Sequence, residues 1–151
     1  MSRRSIKDKQ KENKSLRTLM LSILKKPDIR LLSLGPLSKE LREAFYEAHG
    51  LDSFIARRRL ERHIVNLMRE ADDEVLAFLQ HRLDHPEQLM EERQARVNAV
   101  REQLCDPKML SRFIAEHPDV PIQKLRQLLR GANKPQKEKE LSQLLQDALG
   151  L

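Results

Sequence analysis

Seven prolines cut the chain into segments, and inside the longer segments the apolar residues recur three and four positions apart. Leu16, Leu19, Met20, Ile23 and Leu24 make the first stripe, which ends before Pro27. Such spacing lines apolar side chains along one side of a helix, and a proline disfavours helix in the residue before it. After Gly35-Pro36, Ser38 is placed to cap a helix carrying Leu41, Ala44, Phe45 and Ala48. A helix is expected from Asp52 or Ser53 to Glu70, buried through Leu60, Ile64, Leu67 and Met68. Asp72 can cap the next, through Val75, Leu76, Phe78, Leu79 and Leu83, which His85-Pro86 breaks. Pro86 to Leu104 reads as a long charged helix, and Asp106-Pro107 as the cap and first turn of another. Pro121 opens a helix with Ile122, Leu125, Leu128 and Leu129, closed by Gly131, and a last helix carries Leu141, Leu144, Leu145 and Leu149. With only four glycines there is little room for a turn-rich β-fold. The expected fold is all-α.

Hydrophobic residues make up 39% of the chain and charged residues 34%, a balance that suits thin, elongated packing over one thick core. Aromatics are 3%, so the core is built from Leu, Ile, Met and Ala. Phe45, Tyr46, Phe54, Phe78 and Phe113 mostly fall on the apolar stripes and are expected inside. The lone cysteine, Cys105, continues the stripe of Val97 and Val100 and is expected as a buried free thiol, which fits a reducing, cytosolic setting. No apolar run approaches the roughly 20 residues that a membrane span needs.

Charge is segregated along the chain. Residues 1–26 carry nine Lys and Arg against Asp8 and Glu12. A first basic island holds Arg57, Arg58, Arg59, Arg62 and Arg69 against Glu61. A second holds Lys124, Arg126, Arg130, Lys134, Lys137 and Lys139 against Glu138. Between them, residues 70–122 have twelve acidic and six basic side chains. On a helix, Arg58, Arg62 and Arg69 project within about 40° of one another, opposite Leu60, Ile64, Leu67 and Met68. Arg57 falls nearer the apolar flank. Charge gathered in this way marks a footprint for a polyanion.

Catalytic chemistry is not legible. His81 and His85 stand four apart, but a metal needs further ligands and Pro86 disrupts the helix there. The four glycines are isolated, so no phosphate-cradling loop exists, and no serine sits in a nucleophile elbow. The chain is expected to be non-enzymatic, with no metal and no cofactor. A helix-turn-helix DNA regulator is a rival reading, with 121–131 as its short recognition helix. A helical adaptor that meets an acidic protein partner is the main alternative. Aromatics expected in the core leave no stacking platform for single strands. What remains is an object touching phosphates at separated points, as structured RNA would offer.

Two stretches carry a resemblance. The first runs from Pro36-Leu37 and Leu41-Arg42 through Ala56-Arg57-Arg58-Arg59-Leu60 to Ile64-Val65-Asn66-Leu67-Met68-Arg69. The second is Leu125-Arg126-Gln127-Leu128-Leu129-Arg130, then Ala132, Lys134-Pro135 and Lys137. In order and spacing, from about Leu16 to Leu149, they resemble the YjgA family, the dual-action ribosomal maturation proteins called DarP. The resemblance implies an all-helical, dumbbell-like protein on the large ribosomal subunit, linked to late maturation around the peptidyl transferase region. The family usually has Gly-Lys where this chain has Val65-Asn66, and an acidic N-terminal segment where this chain is basic.

Together these readings predict a flexible basic arm over 1–14 and a helical bundle with the first island over 15–70. Connecting helices over 71–105 lead to a second bundle with the second island over 106–151. The expected function is rRNA binding on the large subunit or its precursor in late assembly. Arg57, Arg58, Arg59, Arg62, Arg69, Lys124, Arg126, Arg130, Lys134 and Lys137 are the expected RNA contacts. Expected partners are large-subunit rRNA and ribosomal proteins, with no membrane and no small-molecule substrate. The protein is expected to be a cytoplasmic monomer.

Overall fold

Every stripe of the sequence becomes a helix. The computed structural model describes residues 6–131 and 133–151, with side chains from Glu12 onward. Among the described residues there are eight α-helices, one 3-10 turn and no strand. The helices are α1 (Ile6–Leu24), α2 (Lys39–Gly50), α3 (Phe54–Glu70), α4 (Asp73–Asp84), α5 (Pro86–Gln103), α6 (Pro107–Glu116), α7 (Ile122–Arg130) and α8 (Pro135–Leu149), with the 3-10 turn at Ile29–Leu34. The punctuation follows side-chain chemistry. Ser38 Oγ accepts the Leu41 N–H at 3.2 Å, opening α2, and Asp106 accepts the Lys108 N–H at 3.0 Å, opening α6. Asp72 takes the cap position of α4 without a side-chain bond. Gly150, at φ 70°, closes α8 in the left-handed conformation that glycine adopts without strain.

The chain divides into two units, residues 1–87 and 88–151. In the first, α3 packs on α1 and α2, and α4 packs on α1 and the 3-10 turn. Met20 and Ile23 of α1, Leu41 and Phe45 of α2, Ile64 and Met68 of α3, Leu79 of α4 and Leu32 of the turn form the centre of this core. Each such side chain contributes about 1.5–3 kcal/mol by leaving water. Buried Arg82 ties α4 to the loop after α1, its Nη2–H donating to the Pro27 carbonyl at 2.6 Å. Gly35 lies under the Phe78 ring; a Cβ there would meet Phe78 Cε1 at 2.3 Å. In the second unit, Val97, Leu104, Phe113, Leu125, Leu128, Leu141 and Leu145 form a separate core.

The structure adds detail to three expectations. The arm expected over 1–14 is helical from Ile6, and residues 1–5 lie outside the described residues. Its Lys, Glu and Gln are good helix formers, and a helix already nucleated by the buried stripe from Leu16 propagates upstream at little expense. Within 71–105, Val75 and Leu79 lie in the first core while Val97 and Leu104 lie in the second. Cys105 is exposed. Helix α5 ends at Gln103, so the turn that follows carries the thiol off the stripe, with Sγ 3.8 Å from the Arg101 carbonyl oxygen.

Candidate nucleic-acid interface

Packing α3 on α1 sets the basic side of α3 along the edge of α1. A cleft of about 300 Å³ opens between them. Met20 and Val65 line its apolar part, and Arg17, Arg58, Arg62 and Arg69 line its rim. Arg17 comes from α1, and the sequence reading missed it. All four arginines are exposed. Among the described residues, Arg17, Arg58 and Arg62 make no ion pair within 4.0 Å. Glu61 is the acid in the cleft, and it pairs with Arg57 at 3.7 Å. Arg57 is thereby engaged within its own helix, in keeping with its place near the apolar flank. Arg59 is exposed but lies outside the cleft.

Arg69 is held by amides instead of carboxylates. Its Nε–H donates to Asn13 Oδ1 at 2.9 Å and its Nη1–H to Asn66 Oδ1 at 3.4 Å. An amide oxygen orients a guanidinium without cancelling its charge. A rim of guanidinium groups with planar donor forks is suited to phosphate oxygens. Asn66 thus helps to orient a neighbouring cation.

One aromatic expected in the core is outside it. Phe54 is 72% exposed, and the Arg58 guanidinium carbon lies 5.6 Å from its ring centre. Burial on α3 is complete only from Ile64 onward, so the first turn overhangs the core.

The second island is less convergent. Arg126 and Arg130 are exposed four residues apart on α7. Lys124 projects to another side and lines a cavity of about 400 Å³ together with the acidic Asp119, Glu140 and Asp147. Lys134 is the exposed residue before α8. Lys137 lays its stem across Gly131, with its ammonium near the C-terminus of α7, where the helix dipole favours a cation. No group of three metal-ligating side chains occurs among the described residues. No described helix is long and apolar enough to cross a membrane.

The family model for the dual-action ribosomal maturation protein DarP matches residues 1–148. Curated relatives carry the same description. The Pasteurella multocida protein is 32% identical over 120 residues, covering 74% of this chain and 66% of that protein. The Cupriavidus metallidurans protein is 29% identical over 115 residues, covering 74% and 55%. The Burkholderia cenocepacia protein is 31% identical over 103 residues, covering 66% and 51%. The matched stretch spans about half to two thirds of the length of these relatives. A family match that runs from residue 1 to 148 of 151 places this chain in the DarP family.

Proposed function

We propose that this protein is a non-enzymatic maturation factor that binds rRNA on the large ribosomal subunit or its precursor and aids late assembly in the cytoplasm. The relatives' description as ribosomal maturation proteins supports the setting. The observation that carries the chemistry is the cleft between α1 and α3, where four exposed arginines share one rim. Phosphates would enter that rim and displace condensed counterions, giving affinity that falls steeply with salt. The exposed Arg126 and Arg130 of α7 would supply a second contact point, so that rRNA is held at two places by a monomer. Contacts to phosphate fix position and register.

Sedimentation of a cell lysate through a sucrose gradient tests this reading. The protein is expected with free large subunits or their precursors at low salt and at the top of the gradient at high salt. Ribonuclease treatment should release it. Ribonuclease-resistant association with an acidic protein, or sedimentation with the small subunit alone, would overturn the reading.

A further inference from the structure

A single exposed apolar side chain on a protein surface needs no explanation. Phe54 is different because of what surrounds it. It is 72% exposed and adjoins Ile55, 70% exposed, whereas Phe45 and Phe113 are buried. Arg58, one helical turn later, stands over its ring at 5.6 Å from the centre. The same Arg58 lines the cleft that holds Arg17, Arg62 and Arg69. One arginine therefore joins an exposed aromatic ring to a row of exposed cations.

From this juxtaposition we infer that the first turn of α3 is a nucleobase-stacking site, where Phe54 receives one unpaired base of an RNA strand whose phosphates lie along the arginine cleft. The inference rests on the RNA-binding reading and deepens it. A phenyl ring accepts the face of any base, and arginine adds a cation–π contact to such stacks. The charge decides the occupant. The patch stands among Arg58, Arg59 and Arg62, which would oppose an ordinary apolar protein surface and attract a phosphate chain. Arg58 and Arg62 are spaced about 6 Å along the helix axis, from the rise of 1.5 Å per residue, so cations follow the ring along one direction of the strand. Duplex RNA presents stacked, paired bases and cannot use the ring, which limits the site to loops, bulges and ends. The expectation that no stacking aromatic is exposed in this chain is thereby revised.

The test uses the full-length protein and three probes: a single-stranded RNA decamer of mixed sequence, an RNA hairpin with a fully paired stem closed by a non-nucleotide linker, and heparin as a polyanion without bases. Binding is followed by anisotropy or competition at fixed salt. Phe54→Leu keeps an exposed apolar group but removes the π-face. It should weaken the decamer roughly 5- to 150-fold, the range expected for loss of one stacked base, and leave the paired stem and heparin unchanged. Phe54→Trp should restore decamer binding, and its indole fluorescence should be quenched by the decamer. Circular dichroism should be the same for all variants, because Phe54 is outside the core. Unchanged decamer binding by Phe54→Leu, or an equal loss on all three probes, would overturn the inference while leaving the RNA-binding reading standing. Loss of ribosomal association with decamer affinity intact would assign the patch to a protein and overturn it as well. Failure of the unmodified protein to bind either RNA would overturn both.

Discussion

Asn13 Oδ1 accepts the Nε–H of Arg69 at 2.9 Å, joining α1 to α3 across 56 residues of sequence. The amide aims the guanidinium at the cleft and leaves its charge for an incoming anion. Asn13→Asp keeps the size and the acceptor but adds a carboxylate. It should reduce rRNA affinity several-fold and lower the slope of log affinity against log salt by about one, the value of one phosphate contact. An exposed ion pair contributes about 0–1 kcal/mol, so thermal melting should barely change. Titrations at three salt concentrations check this, and an unchanged slope would show that Arg69 touches no phosphate.

Gly35 is required by space, since its backbone is extended at φ −103° and ψ 177° and tolerates any residue. Gly35→Ala would drive a methyl into the Phe78 ring at 2.3 Å. Overpacking of this kind destabilises by about 1–3 kcal/mol. A lower melting temperature is expected, with rRNA affinity retained at temperatures where the variant is folded. A companion Phe78→Leu change should recover part of the loss.

Buried Arg82 makes a different kind of tie. Arg82→Met keeps the apolar stem but leaves the Pro27 carbonyl without this donor. Removing one partner of a part-buried hydrogen bond costs about 1–3 kcal/mol. Urea denaturation should give a lower midpoint with an unchanged slope. A midpoint equal to that of the unmodified protein would show that water replaces the guanidinium.

Much of this architecture is legible in the residues. Ser38 and Asp106 cap helices because short polar side chains reach the free N–H groups of a first turn, a chemistry confined to three or four neighbours. The stripe of Ile64 and Met68 is equally local. The misses are long-range. Arg17 joins the cleft only because α1 packs on α3, and Asn13 meets Arg69 for the same reason; no periodicity within either helix encodes that pairing. Phe54, expected inside with the other aromatics, is exposed because burial on α3 is complete only from Ile64 onward, which depends on where α1 and α2 pack. Cys105 lies on the extended projection of α5, yet that helix stops two residues earlier. Of the ten expected contacts, Arg58, Arg62 and Arg69 come together at one cleft. Arg57 pairs with Glu61, Lys137 lies across Gly131, and Lys124 shares a cavity with acidic side chains.

Arg126 and Arg130 provide the second point of attachment in this reading. Their joint replacement by Ala removes exposed charge four residues apart on α7, away from buried Leu125 and Leu128. Two contacts on one RNA body raise each other's effective concentration. The double variant should therefore lose more affinity for intact large subunits than for a short RNA that reaches only one island. Equal losses on both would argue against simultaneous engagement.

The most direct measurement is sedimentation with large subunits for the variant in which Arg58, Arg62 and Arg69 are all Ala, paired with thermal melting of the same preparation. Clamping by the cleft predicts loss of subunit association at salt concentrations where the unmodified protein binds, and a salt slope lower by about 2 to 3. Exposed substitutions typically change stability by under about 0.5 kcal/mol each, so melting should stay close to that of the unmodified protein. Normal association with a lowered melting temperature would contradict the assignment and make these arginines structural.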